Sequence, residues 1–311
     1  MGLTAGALPC ARAQAPGEPA SSIEPVPRPG SSPAPPAHAS PGVALTTRPG
    51  RLVRGALGEL RVAPVRGGAR VLAVRGAAAG EPLHFEKHAD GSFRALAAAP
   101  VDGPDSLAVV LFTERAGAPA ESIEVRLPLA EGRYRRERLR VPPQFAKPDS
   151  AAELRIASEI ERAQGVGRQA HETAPLWRRP FTRPRPGRIT SRFGTSREFN
   201  GEVQSRHMGT DFAGAVGAPV RAANAGVVAL VADFYLAGTA VYLDHGGGLV
   251  TGYFHLSRAL VAAGDTVRRG QIIGRVGRSG RVTGPHLHWI ARYGAITVDP
   301  MSLPGLDQRG R

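Results

Sequence analysis

The chain has 311 residues, room for two modest domains or one large domain with tails, and at 42% hydrophobic it can bury a core. No run approaches the ~18 apolar residues of a membrane helix, which excludes a helical span, and the single cysteine, Cys10, excludes an intramolecular disulfide and cysteine-rich zinc sites. Forty basic against 26 acidic residues give +14, a charge suited to anionic partners, but the arginines are spread without aromatic interleaving, which argues against nucleic acid as a partner.

Residues 1–15 hold a short apolar patch, Leu3–Leu8, followed by two overlapping Ala-x-Ala patterns in Ala11–Ala15 that resemble a signal-peptidase site. The patch is short and no basic residue precedes it, so the expected signal is atypical and truncated, and the expected location periplasmic or secreted. Residues 16–42 are dominated by Pro, Ala, Ser and Gly, a composition that cannot offset its ordering entropy and predicts a disordered linker.

Residues 43–145 alternate short β-type runs with Gly, Pro and Asp turns. The runs Leu57–Val65, Ala69–Val74, Leu83–Phe85, Leu107–Thr113, Ile123–Leu127 and Arg138–Val141 predict a β-sandwich-like N-terminal domain. Ile123, Val125 and Leu127 alternate with Glu124 and Arg126, the period of a half-buried strand. His84 and His88 have no carboxylate or cysteine company in the sequence and read as structural. Nothing here carries chemistry, so the expected role is binding, spacing or autoinhibition, with a regulatory protein as the expected partner.

Residues 146–185 read as a helix and a linker. Ser150-Ala151-Ala152-Glu153 fits a capping box, Leu154, Ala157 and Ile160 supply an apolar stripe, and Gly165 and Gly167 are expected to end the helix. The Pro- and Arg-rich stretch Pro175–Pro186 reads as an extended, solvated tether.

Residues 186–304 change to Gly-punctuated Val, Ile and Leu strands with an internal echo. Gly217-Ala218-Pro219-Val220 recurs as Gly264-Asp265-Thr266-Val267, each followed by an apolar pair, Val227-Val228 or Ile272-Ile273. This predicts two copies of a β-hairpin unit folded against each other. A lipoyl or biotinyl carrier is excluded, because those groups attach to lysine and none follows Lys147.

Five of the nine histidines fall between positions 207 and 288. In His207-Met208-Gly209-Thr210-Asp211 an extended strand would hold the imidazole and carboxylate ~13 Å apart, so a shared zinc needs a bend, which Gly209 permits. A surface histidine and an Asp turn would look the same. In Gly284-Pro285-His286-Leu287-His288-Trp289 a strand would send both imidazoles to one face, ~6.6 Å apart, and Leu287 and Trp289 to the core. The alternative is an exposed strand that happens to hold two histidines. His255, in Tyr253-Phe254-His255-Leu256, reads by itself as structural, as does His245 beside the Gly246-Gly247-Gly248 turn.

In this order the H-x-G-x-D pattern, the Y-x-H-L strand, the G-x-x-V-x-x-G-x-x-I hairpin at Gly264–Ile273 and the G-P-H-L-H ending closely resemble the lysostaphin/LytM-type zinc metallopeptidases, peptidase family M23. The likeness covers about Pro186 to Leu303; the preceding β module and helix look more loosely like the N-terminal half of Gram-negative members. The resemblance implies a mostly-β chain whose C-terminal domain is a duplicated-hairpin, barrel-sandwich hybrid. It implies one Zn²⁺ per chain held by His207, Asp211 and His288, with His255 and His286 as the catalytic non-ligand histidines. The implied mechanism is activation of a zinc-bound water whose pKa falls to ~7, with the two histidines handling its proton and the oxyanion. The implied function is hydrolysis of peptidoglycan peptide cross-links in cell-wall remodelling, with peptide stems as substrate and a D-alanyl–diaminopimelate bond as the expected target.

Two departures stand out. Some relatives carry a Tyr shortly before the first ligand, whereas Asn200–Arg206 holds no aromatic, which leaves Arg197 or Asn200 as candidate substrate contacts. Many have an acidic residue where Ile290 follows Trp289. The alternatives from other classes are a non-catalytic regulator of wall hydrolases, which typically loses metal ligands, and a cytosolic phosphohistidine carrier, which would not need Asp211.

Overall fold

The computed structural model describes residues 38–39, 42–141, 148–199 and 203–304, and the statements below concern these. The expected signal segment and nearly all of the expected linker lie outside them, as does Asn200.

The strands before the helix are β1 (His38–Ala39), β2 (Val43–Arg48), β3 (Leu57–Pro64), β4 (Val71–Ala78), β5 (Glu81–Pro82), β6 (Glu86–Lys87), β7 (Phe93–Ala98), β8 (Ser106–Arg115), β9 (Ala118–Pro128) and β10 (Arg136–Leu139). They form one sheet of order β1-β2-β3-β7-β6 and a second of order β5-β4-β8-β9. Leu60, Val62 and Phe93 of the first pack with Val71, Leu107 and Leu111 of the second in one buried cluster, giving the expected sandwich. In β9 the alternation of Ile123, Val125 and Leu127 with exposed Glu124 and Arg126 is the half-buried pattern the sequence requires. Two readings differ. Leu83–Phe85 is not a strand but joins β5 to β6, and β2 and β7 form from VALTTR and FRALAA, which are not among the expected runs.

The helix α1 spans Ser150–Gln169, and its N-cap is Asp149, whose side chain accepts from Ala152 N at 2.8 Å, in place of the expected Ser150. The expected apolar stripe is also corrected: Leu154 is 74% and Ile160 52% exposed. The buried face is instead Ala152, Glu159, Ala163, Val166 and Gly167. Small residues let the helix lie close to the C-terminal sheet, where Ala163 and Val166 meet Phe234, Tyr242 and Phe254. Gly167 does not end the helix, because it serves this approach: a Cβ there would overlap the Gly294 carbonyl oxygen. Pro175–Pro186 is no solvated tether, since Phe181 is 2% exposed in the C-terminal core and its N–H bonds Pro304 O at 2.9 Å.

The C-terminal strands are β11 (Ile189–Ser191), β12 (Ser196–Phe199), β13 (Val203–Arg206), β14 (Thr210–Ala213), β15 (Pro219–Arg221), β16 (Gly226–Phe234), β17 (Gly238–Gly246), β18 (Leu249–Ala259), β19 (Thr266–Val267), β20 (Ile272–Val276), β21 (His286–Tyr293) and β22 (Ile296–Val298). The main sheet runs β11-β14-β21-β18-β17-β16-β19, with β20 joining β15 to β18. The repeated units exchange strands: β15 of the first pairs with β20 of the second, and β19 of the second with β16 of the first. That cross-pairing lets two short hairpins share the core of Val220, Val228, Val267 and Ile273. A fourth sheet ties the two halves together, with β10 running parallel to β12 and β12 antiparallel to β13.

Candidate metal centre and groove

Three adjacent strands deliver the site. In β21 the alternation places Leu287 and Trp289 at 0% exposure in the core and turns His286 and His288 to the other face. Asp211 of β14 stands directly across from His288, and Phe254 of β18 flanks it on the other side. The chain leaves β13 at Arg206 and re-enters the sheet at Thr210, so His207 sits on the bend that Gly209 allows. Gly209 has a second duty, since a Cβ there would press on the His288 ring at 2.6 Å.

The result is three converging donor atoms. His207 Nε2 lies 3.0 Å from Asp211 Oδ1 and 2.9 Å from His288 Nδ1, and His288 Nδ1 lies 2.7 Å from Asp211 Oδ1. These residues form the one group among the described residues whose His, Cys or carboxylate atoms cluster closely enough to grip a metal ion. Around an ion with ~2.0 Å bonds at tetrahedral angles, donor separations are about 3.3 Å, within small side-chain rotations of those seen. Two imidazoles and one carboxylate are also a donor set that suits zinc.

The supporting contacts fix the donors. His207 Nδ1–H donates to Arg192 O at 2.9 Å, which leaves Nε2 unprotonated and aimed at Asp211. Arg197 Nη2 donates to Asp211 Oδ2 at 2.8 Å and to Ser191 Oγ at 3.0 Å. Ser191 Oγ in turn donates to the Glu137 carboxylate at 3.0 Å, and Arg197 Nε lies 3.5 Å from that carboxylate. The guanidinium of Arg197 is therefore engaged with Asp211, a role the sequence did not suggest. Burial works to raise the Asp211 pKa, yet the adjoining imidazoles of His207 and His288 hold it well below the usual carboxylate range. Burial also lowers His288, to about 4, against the pull of Asp211.

The two other histidines adjoin this cluster. His255 and His286 ring centroids are 4.8 Å apart, and His255 lies 5.7 Å from His288. His255 occupies a β-bulge: between the pairs Val241↔Tyr253 and Thr239↔Leu256, β18 carries one residue more than β17, and His255 takes φ 60°. The bulge re-aims the ring and lets Nδ1–H donate to Ser279 O at 2.8 Å. His286 Nδ1–H likewise donates to Gly284 O at 2.8 Å. Each ring thus keeps Nε2 as an acceptor. Burial first, then the neighbouring imidazoles, push His255 well below its ordinary pKa, so it is neutral at pH 7.

His255, His286 and Asp211 line a groove of about 370 Å³, a size suited to a small ligand segment, together with Glu137 and Leu139 of β10 and Arg281 and Thr283 of the β20–β21 loop. Sequence reasoning missed Ser191, Glu137 and Arg281. Only Arg281, five residues before His286 in the G-P-H-L-H loop, offered a positional signal. His245 is structural as expected, with Nδ1–H bonded to Ala225 O at 2.7 Å and Nε2 2.8 Å from Thr251 Oγ1.

Residues 205–300 match Peptidase family M23. Over 118 residues the chain is 39% identical to the peptidoglycan DD-endopeptidase ShyC of Vibrio cholerae, covering 37% of this chain and 27% of that protein. It is 49% identical over 100 residues to ShyA of the same organism, 32% of this chain and 23% of the relative. A DD-carboxypeptidase/endopeptidase, Mpg, of Neisseria meningitidis is 41% identical over 116 residues, 37% of this chain and 27% of the relative. The chain therefore spans about a quarter of the length of these curated relatives. A crystal structure of a candidate M23 peptidase from Pseudomonas aeruginosa shares the fold at TM-score 0.59 and 24% identity, covering 81% of this chain and 94% of that one. The cross-strand pair Asp211–His288 and the bend at Gly209 both fall inside the segment, residues 205–300, that matches peptidase family M23.

Proposed function

We propose that the protein is a zinc-dependent endopeptidase that hydrolyses peptide cross-links of peptidoglycan, acting in the periplasm or outside the cell. One observation carries the reading: the donor atoms of His207, Asp211 and His288 lie within 3.0 Å of one another, beside two imidazoles whose Nε2 atoms stay available. The peptidoglycan endopeptidases among the relatives support the substrate, and the Ala-x-Ala patterns near the N-terminus support export.

His207, Asp211 and His288 would hold one zinc ion, which when bound supplies Lewis acidity and brings water activation into the neutral range. The chain's own groups do the rest. Arg197 holds Asp211 through Oδ2, leaving Oδ1 toward the imidazoles. His255, held neutral by its burial, or His286 can take a proton at Nε2 from the attacking water and later return it to the leaving amine nitrogen. The imidazolium formed meanwhile stabilises negative charge on the carbonyl oxygen. Thr283 on the groove is exposed, and the groove can receive an extended peptide.

Digestion of defined cross-linked muropeptides, with mass analysis of the products and with or without a chelator, tests this reading. Cleavage at one amide bond, lost on chelation and restored by zinc, is expected. Intact muropeptides with zinc-loaded protein would overturn it. Fractionation of cells carrying the full gene, with the protein recovered only in the cytosol, would overturn the location.

A further inference from the structure

The fold gathers arginines that the sequence spreads out. Residues 178–192, 213–223 and 256–283 are rich in arginine and hold one acidic residue, Asp265, whose carboxylate accepts from Ala262 N at 2.8 Å. These stretches lie side by side. Arg221 N–H bonds Pro184 O at 2.9 Å, which sets residues 182–188 alongside β15. Pro219 of β15 stands across from Arg275 of β20, and Arg275 across from Arg258 of β18. Like charges directly opposite on neighbouring strands repel, so the Arg258–Arg275 pair costs stability unless an anion joins it.

Three of the guanidiniums are fixed by backbone carbonyls. Arg185 Nε donates to Pro186 O at 3.1 Å, Arg221 Nη1 to Gly270 O at 2.9 Å and Arg275 Nη1 to Gly217 O at 3.3 Å. A carbonyl orients a guanidinium without cancelling its charge and takes only one of its donors. Among the described residues, Arg185, Arg221, Arg258 and Arg275 form no ion pair. At one end this basic face reaches the groove: Arg188 O accepts from Ala213 N at 2.9 Å, and Ala213 and Thr190 line the groove.

We propose that this face is a second binding surface for the anionic polymer whose cross-link enters the groove, with Arg185, Arg221, Arg258 and Arg275 receiving free carboxylates of neighbouring peptide stems. The identity of the polymer rests on the endopeptidase reading above. Peptide stems carry carboxylates at intervals, and the face offers guanidiniums at intervals, since strands ~4.8 Å apart carry it ~14 Å from residues 182–188 to β18. A planar guanidinium suits a carboxylate in two-point contact. The face holds the polymer and takes no part in breaking the bond.

Co-sedimentation of the full chain with purified sacculi tests this, with a chelator present so that the polymer stays intact. Sacculi whose carboxylates have been converted to carboxamides, and vesicles of phosphatidylglycerol, are the comparison arms. At low ionic strength the wild-type protein should bind untreated sacculi about 10-fold more tightly than amidated ones, and ~0.5 M salt should remove the difference. Combining Arg221→Ala, Arg258→Ala and Arg275→Ala should weaken binding to untreated sacculi about 10-fold, whereas Arg→Lys at the same three positions should stay within about 3-fold of wild type. Arg66→Ala with Arg126→Ala, which removes exposed charge from the sandwich, should leave binding as it is. Equal binding to amidated sacculi, a triple alanine variant that binds like wild type, or an equal loss in the sandwich variant overturns the proposal. Tighter binding to the vesicles than to sacculi also overturns it, making the face a lipid-binding one. Carboxylate-dependent binding that the triple alanine variant loses, together with muropeptides left intact by zinc-loaded protein, would leave the proposal standing and overturn the endopeptidase reading instead.

Discussion

At the scale of single residues, the proposed ligands and proton carriers separate by what each nitrogen touches. His207 gives Nδ1 to a carbonyl and Nε2 to the cluster, so His207→Ala should remove both zinc and activity. Metal analysis showing full zinc in that variant would refute the ligand assignment. His286 gives Nδ1 to Gly284 O and sits 3.7 Å from Asp211 Oδ1 through Nε2, beyond the mutual distances of the ligand atoms. His286→Ala should therefore keep zinc while kcat falls about 10²- to 10⁴-fold, the range for losing a positioned acid–base group. Arg197 acts through Asp211: Arg197→Ala leaves a buried carboxylate oxygen without its donor and should weaken zinc affinity about 10- to 100-fold, read by competition with a chromogenic chelator. Much of this was legible. The pair His286 and His288 follows from strand alternation alone, and the bend after His207 from Gly209. The route to His255 was not, because a bulge depends on how β18 registers against β17, which no local pattern encodes.

At the scale of elements, α1 and β17 show how buried polar groups set stability. The sequence favoured large apolar residues for the buried face of α1, but the helix packs through Ala163, Val166 and Gly167, and Leu154 is left to solvent. Propensity locates a helix; which face it buries depends on how closely its partner approaches. Gly167→Ala should accordingly destabilise the fold by about 1–3 kcal/mol through overpacking against Gly294, whereas Leu154→Gln should change it by less than about 0.5 kcal/mol, both read by denaturant titration. His245 on β17 is fully enclosed, and burial lowers its pKa from 6.5 to about 4. Between these values the unfolded chain binds the proton that the folded one rejects, so stability rises with pH. The contribution is fully present above pH 6.5 and is lost as pH falls toward 4, by about 3 kcal/mol. Urea titrations across that window should show a pH slope that His245→Gln flattens; an unchanged slope would remove His245 as its source.

At the scale of the whole molecule, the N-terminal sandwich is joined to the C-terminal half rather than tethered to it. The described residues belong to one compact unit, and Leu57 and Ala98 of the sandwich enter the same buried cluster as Met301 and Leu303. The polar seam beside that cluster centres on Glu81. Its Oε1 accepts from Ala295 N at 2.9 Å, and its Oε2 from His171 Nε2 at 2.9 Å. His171 Nδ1 lies 2.8 Å from His84 Nε2, and Tyr293 donates its hydroxyl to Pro82 O at 2.7 Å. Three stretches distant in sequence thus meet on one carboxylate: β5, the end of α1 and the β21–β22 turn. His84 reads from the sequence as lacking carboxylate company, but Glu81 three residues before it is linked to it through the distant His171, a partner that no local pattern reveals. Gly294 makes room for the seam, since a Cβ there would overlap Glu81 Oε2. Removing the carboxylate leaves buried donors on His171 and Ala295 without an acceptor, at a cost of about 1.5–3 kcal/mol. Glu81→Ala should destabilise the fold by that amount, lower the unfolding midpoint and separate the sandwich transition from that of the C-terminal half in calorimetry, with metal content unchanged. A single transition at the wild-type midpoint would mean that the apolar contact of Leu57 and Ala98 couples the halves without help from the seam.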